Sequence, residues 1–231
     1  MAASYALEHT SRDRQTREVT FAGDSVCLAG QVDYPGMPLP INGYPLIFIL
    51  QHAGSNTRAD YDHYAQVGLN CGYAVFRWDK RGTGRSGAGG RGSTTQDAIM
   101  AYDVALKQPL INLSRIVILA QSEGTVMLSK TFERFAQAHP PSGVILTSNM
   151  LDAKAIQKID TRLLVVMGTK DWNNWEIYAR DACESHNATY RHGAAFYVAL
   201  DANRMLMVTG NPQDTFHDGA QQTICEWLQE L

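Results

Sequence analysis

Long apolar runs are missing from this chain. Nowhere do its 231 residues offer the roughly 20 consecutive apolar positions that a membrane-crossing helix needs. The first fifteen, Met1 to Gln15, are polar and mixed in charge, with no apolar signal core. A cytoplasmic location is therefore expected, with no membrane partner. Charge is scarce as well. Asp, Glu, Lys and Arg make up 19% of the sequence, and 20 basic against 23 acidic residues leave a formal net charge of −3. No overall field draws the chain to nucleic acid, and any preference for anions has to be local. The four cysteines, Cys27, Cys71, Cys183 and Cys225, show no C-x-x-C spacing and no histidine pairing of the zinc type. Buried free thiols are expected rather than a disulfide, and no metal site is expected. The glycine-rich stretch Gly82 to Gly92 is interleaved with arginine and lacks a G-K-S/T ending, so no cofactor is implied. Repeats, low-complexity tracts and linkers are absent too, which makes residues 1–231 one expected domain.

What is there is an alternation. Glu18 to Phe21 and Val26 to Asp33 flank Ala22-Gly23-Asp24 as an antiparallel hairpin would. Short apolar runs follow: Leu46 to Leu50, Tyr73 to Trp78, Ile116 to Ala120, Val144 to Ser148, Leu163 to Met167 and Phe196 to Leu200. Such runs, separated by helix-period segments, are the pattern of a parallel sheet covered on both faces. Leu128, Thr131, Phe132, Phe135 and Ala136 keep the spacing of one helical face, and Ile224, Trp227, Leu228 and Leu231 give the terminal helix its apolar stripe, with Asp218 as its expected cap. About eight strands in a mostly parallel α/β sheet are expected.

The run from Ile116 leads directly into Ala120-Gln121-Ser122-Glu123-Gly124 and then into a helix. A sharp strand-to-helix turn of this kind lifts a serine hydroxyl clear of the sheet, and small residues on either side let the backbone pass. A serine that only caps the helix is the alternative. Three further motifs stand beside this one: His52-Ala53-Gly54 after the first parallel run, Asp79-Lys80-Arg81-Gly82-Thr83-Gly84-Arg85-Ser86 after the next, and Gly168-Thr169-Lys170-Asp171. With these motifs, and over nearly its whole length, the chain resembles the α/β-hydrolase superfamily, in particular its serine aminopeptidase-like and X-Pro dipeptidyl-peptidase-like hydrolases and esterases. The resemblance implies Ser122 as nucleophile and the backbone N–H groups of Glu123 and Ala53 as oxyanion donors. His52 is expected to shape its loop rather than to act as the base, and the basic cluster of Arg77, Lys80, Arg81, Arg85 and Arg91 could hold an acidic substrate, although an arginine in this loop belongs to the family pattern and is expected to stabilise it.

The acid that orients the base is expected at Asp171, just past the Leu163 to Met167 run, with Asp152 as runner-up. For the base, chemistry in open α/β sheets lies beyond the carboxyl ends of the strands. His139, His186 and His192 precede strands, and His9 lies in the polar start. His52, His63 and His217 remain, and of these only His217 follows both serine and acid in the order Ser, Asp, His. Relatives, however, place their histidine just after the last strand, where this chain has Asp201-Ala202-Asn203-Arg204. Arginine stays protonated and cannot take a proton from Ser122. Two readings remain open. In one, His217 reaches in, and the chain is a serine hydrolase of small carboxylic esters, thioesters or amides working through an acyl-enzyme. In the other, it is a catalytically silent hydrolase-fold protein that binds a small acidic ligand or a protein partner through Arg204 and the Arg81 loop. Only residues 149–162 separate two consecutive strand runs, so no cap domain is expected; His52 and Arg204 are candidate substrate-binding residues.

Overall fold

The computed structural model of the chain describes residues 14–171, 176–210 and 213–231; His9 lies outside them. Strands β1 (Gln15–Gly23) and β2 (Val26–Tyr34) form the expected hairpin, closed by Asp24 and Ser25 rather than by Ala22 to Asp24. They are followed by β3 (Tyr44–Leu50), β4 (Ala74–Trp78), β5 (Ile111–Gln121), β6 (Gly143–Thr147), β7 (Leu163–Gly168) and β8 (Ala194–Ala199). Together these make one eight-stranded sheet in the order β1-β2-β4-β3-β5-β6-β7-β8. β2 runs antiparallel to both its neighbours, and the pairs from β4 to β8 are parallel. The parallel strands therefore end at one edge, which is where the motif residues emerge.

Helices α1 (Asp62–Asn70) and α6 (Asp218–Gln229) cover one face of the sheet; α2 (Thr94–Leu106), α3 (Glu123–Ala138), the single-turn α4 (Ala153–Ile156) and α5 (Glu176–Thr189) cover the other. Because both faces are covered, every residue of β3 is buried, and alternate side chains feed two separate cores. Phe48 goes to one, against Phe76, Tyr102 and Phe135. Ile47 and Ile49 go to the other, with Tyr64, Ile224, Trp227 and Leu228. Each such fully buried side chain contributes roughly 1.5–3 kcal/mol of apolar transfer. Between β6 and β7 the described chain holds only α4, so no cap stands over the strand ends. A small ladder of β9 (Met207–Val208) and β10 (Thr215–Phe216) lies between β8 and α6.

Two expectations are corrected. Cys71 and Cys225 form a disulfide, with Cα atoms 5.4 Å apart, while Cys183 is a buried thiol and Cys27 an exposed one. Spacing could not reveal the pair, because Cys71 ends α1 and Cys225 sits within α6, two helices brought together only by packing on the same face of the sheet. The cap of α6 is His217 rather than Asp218: its Nδ1 accepts the N–H of Ala220 at 3.0 Å. Among the described residues no helix is long and apolar enough to cross a membrane, and no group of three or more His, Cys, Asp or Glu could hold a metal ion.

Candidate active site

Ser122 stands between β5 and α3 at φ 54°, ψ −118°, a conformation that costs a non-glycine residue about 1–3 kcal/mol. Its side chain makes no capping bond to the helix, which removes the capping alternative. The turn is tight enough that a Cβ at Gly124 would lie 2.5 Å from the Leu50 carbonyl oxygen and 2.9 Å from that of Gln51. Only glycine lets α3 start this close to the end of β3. The same approach brings the 52–54 loop alongside Ser122.

That loop is held from below. The Lys80 ammonium donates to the carbonyls of both His52 and Gly54 at 2.6 Å, and burial lowers its pKa. The His52 N–H donates to Tyr61 Oη at 2.8 Å, and the Tyr61 hydroxyl donates to Gln121 Oε1. The buried Asp79 carboxylate accepts the N–H groups of Arg58 and Arg85, and Ser86 Oγ donates to its carbonyl. Arg77 pairs with Asp33 at 2.7 Å, and Arg81 grips the Asp97 carboxylate through two bonds of 2.6 Å. The basic residues of this loop thus brace it, as the resemblance implied. Gly82, Gly84 and Gly87 do have the spacing of a dinucleotide-binding turn, but the loop they form does not open a helix, since α2 starts only at Thr94. Against this bracing, the N–H of Ala53 meets no acceptor among the described residues, and that of Glu123 opens the first turn of α3.

Arg204 occupies the position after β8. Asn203 folds the turn, its Oδ1 accepting the N–H groups of Met205 and Met207, and this places Arg204 Nη2 2.5 Å from Ser122 Oγ. The same nitrogen lies 3.4 Å from His52 Nδ1. A guanidinium only donates, so a neutral His52 with its proton on Nε2 can accept this contact at Nδ1. Its pKa is held below the ordinary imidazole value by burial first, then by the positive charges of Arg204 and Lys80. The serine hydroxyl is buried, and its remaining partner is Met150 Sδ at 3.5 Å.

Asp171 does arrive at this edge. It accepts a bond from Ser148 Oγ at 2.5 Å, and the same hydroxyl lies 2.9 Å from the Arg204 carbonyl oxygen. Ser148 was not singled out by sequence; its left-handed φ of 47° at the end of β6 leaves no mark in a run of letters. Asp152 caps α4 through the N–H groups of Lys154 and Ala155. His217 is not brought to Ser122. With Nδ1 accepting the cap bond, that nitrogen has no lone pair left for a serine proton. His139 and His186 bind the carbonyls of Leu113 and Ile159, away from the site.

Two clefts meet here. One of 420 Å³ is bordered by Arg204, His52, His63, Tyr61 and Asn203. The other, of 360 Å³, is bordered by Ala53, Glu123, Lys80, Thr94 and Met127. His52 stands between them.

The geometry has counterparts. The chain resembles a predicted CIB-like hydrolase of Thermoplasma acidophilum, with TM-score 0.67 and 17% identity over 95% of this chain and 100% of that one. It also resembles an esterase of Pyrococcus furiosus, with TM-score 0.69 and 15% identity over 100% and 95%. A third likeness is to a putative α/β hydrolase of Agrobacterium tumefaciens, with TM-score 0.67 and 19% identity over 92% and 95%. At these identities the likeness is one of fold. No curated protein sequence matches the chain. A family model described as serine aminopeptidase, S33, matches residues 46–192. With more than half its length matched, the chain belongs to the S33 serine aminopeptidase-like family of α/β hydrolases.

Proposed function

We propose that the protein is a serine hydrolase of small carboxylic esters in which Ser122 is the nucleophile and His52, rather than His217, is the base. The observation that carries this reading is the backbone of Ser122. Strain at φ 54° is maintained around a hydroxyl that does no capping work, and such strain persists where geometry serves chemistry.

In the reaction, Ser122 Oγ gives its proton to His52 Nδ1 as its lone pair bonds to the acyl carbon. The carbonyl π pair moves onto oxygen, where the N–H groups of Ala53 and Glu123 receive it; one such donor is worth roughly 3–4 kcal/mol to the transition state. Collapse breaks the ester C–O bond, and the departing alkoxide takes the proton from His52. Water then repeats the sequence on the acyl-enzyme and releases the acid. His52 suits this task because its ring is already unprotonated at neutral pH. Its Nδ1 and Ser122 Oγ also share one neighbour, Arg204 Nη2, so they are no farther apart than the sum of those two contacts. The esterase neighbours are consistent with this substrate class.

The Arg204–Ser122 bond favours a second reading, a protein that holds a carboxylate between the guanidinium and the oxyanion donors without cleaving anything. Burst kinetics with p-nitrophenyl acetate and with mono-p-nitrophenyl glutarate decide between them. The hydrolase reading expects, with at least one of the two esters, a burst in the wild type and in His217→Ala that is lost in Ser122→Ala and His52→Ala. Wild-type turnover of both esters no faster than Ser122→Ala would leave only the binder.

A further inference from the structure

Arg204 blocks the reaction it borders. Its Nη2 sits on the lone pair of the Ser122 oxygen and on the lone pair of His52 Nδ1 together. While it stays there, the hydroxyl proton has no path to the imidazole. Ser122 is only 1% exposed, and Arg204 Nη2 and Met150 Sδ both contact its oxygen. Something has to draw the guanidinium aside.

The 420 Å³ cleft supplies the direction. Arg204 forms one wall, and the surrounding side chains of Asn203, Tyr61, His63 and His52 offer hydrogen-bonding groups. The cleft also includes Asp60, whose Oδ2 already accepts the N–H and hydroxyl of Thr57. His63 borders the cleft while its ring packs on Tyr64 and Phe216. A planar anion placed there would meet the guanidinium fork in the geometry that arginine and carboxylate share. The cleft is of a size for a small ligand.

We propose that Arg204 is a substrate-operated latch: the ester this site cleaves carries a second, free carboxylate, which docks in the Arg204 cleft and pulls the guanidinium off Ser122 and His52. This inference rests on the hydrolase reading. The substrate is then a half-ester of a short dicarboxylic acid or a close relative. The latch has a chemical use, because the nucleophile and its base connect only when the correct ligand is bound.

The test compares two chromogenic esters of equal chain length, mono-p-nitrophenyl glutarate and p-nitrophenyl pentanoate, which differ in a terminal carboxylate against a methyl group. Wild-type protein should favour the glutarate in kcat/KM by about 10- to 100-fold, the range for one charge-assisted pair. Arg204→Gln should bring that ratio close to one and raise turnover of the pentanoate, and Arg204→Lys should keep part of the ratio. A merely structural arginine would lower both activities in proportion. Should Arg204→Gln misfold, as circular dichroism would reveal, the wild-type ratio and inhibition of pentanoate hydrolysis by free glutarate still decide. Equal turnover of both esters by the wild type, abolished in Ser122→Ala, overturns the latch and leaves the hydrolase standing. No turnover of either above Ser122→Ala overturns both.

Discussion

Replacing His217 and His52 in turn by alanine separates two roles that their residue type alone would confuse. At His217 the loss is a helix cap. Its Nδ1 serves one N–H, that of Ala220, and a lost cap costs about 0.5–2 kcal/mol. Helix α6 stays fixed by Ile224, Trp227 and Leu228 beneath it and by the bond from Cys225 to α1, so the loss is confined to the first turn. For a chain of this length 1 kcal/mol corresponds to about 2–4 °C of Tm. His217→Ala should therefore melt a few degrees lower with kcat unchanged, and His217→Asn, which can still cap, should recover most of the difference. His52→Ala should do the opposite, lowering kcat by about 10² to 10⁴, the usual contribution of a positioned base, with little change in Tm. Melting curves and initial rates on the three variants suffice. A large loss of kcat in His217→Ala with full activity in His52→Ala would refute the assignment of the base.

The acid limb of the wild-type kcat/KM profile should lie below pH 6.5, because burial and then the charges of Arg204 and Lys80 hold His52 below that value; a limb above 6.5 would contradict a base in this setting. Burial lowers the pKa of His63 from 6.5 to about 4, so the unfolded chain binds more protons between those values, and stability is intact above pH 6.5 and falls as pH drops toward 4. The difference, about 3 kcal/mol at the lower end, should be reduced in His63→Phe when urea midpoints at pH 7 and pH 5 are compared. Gly124→Ala would push a methyl into the Leu50 carbonyl; a loss of about 1–3 kcal/mol and a displaced Ala53 donor should appear together, in Tm and in kcat. Cys225→Ser should cost up to about 5 kcal/mol by the loop-entropy relation, and an unchanged Tm would mean that the bond does not form in solution.

The architecture was readable because each parallel strand is buried on both faces and so appears as an unbroken apolar run; the six runs all became strands. The elbow was readable because its steric demand falls on particular letters, Ala120 and Gly124 around Ser122. Arg204 was visible as a departure from the expected histidine, but its contact was not: the guanidinium turns to Ser122 and His52, because Asn203 tightens the turn that carries it. For His217, chain order indicated the correct edge of the sheet and could not say that its lone pair would be taken by Ala220. The cysteine pair was hidden for a related reason. Cys71 and Cys225 lie 154 residues apart, and only the stacking of α1 beside α6 brings them together.

The Cys71–Cys225 bond also changes what kind of object the chain is under load. It closes residues 71–225 into a covalent ring that contains β4 to β8, Ser122, Asp171 and Arg204. A pull on the two ends of the chain travels along residues 1–70, crosses the sulfur bridge and leaves through the last six residues, so the ring itself carries no tension. The strand that leads to His52 and Ala53 lies on the loaded path, and the strand that leads to Ser122 does not. Stretching would therefore separate His52 from Ser122 before it disturbed the serine turn, and reduction of the bridge would remove that order.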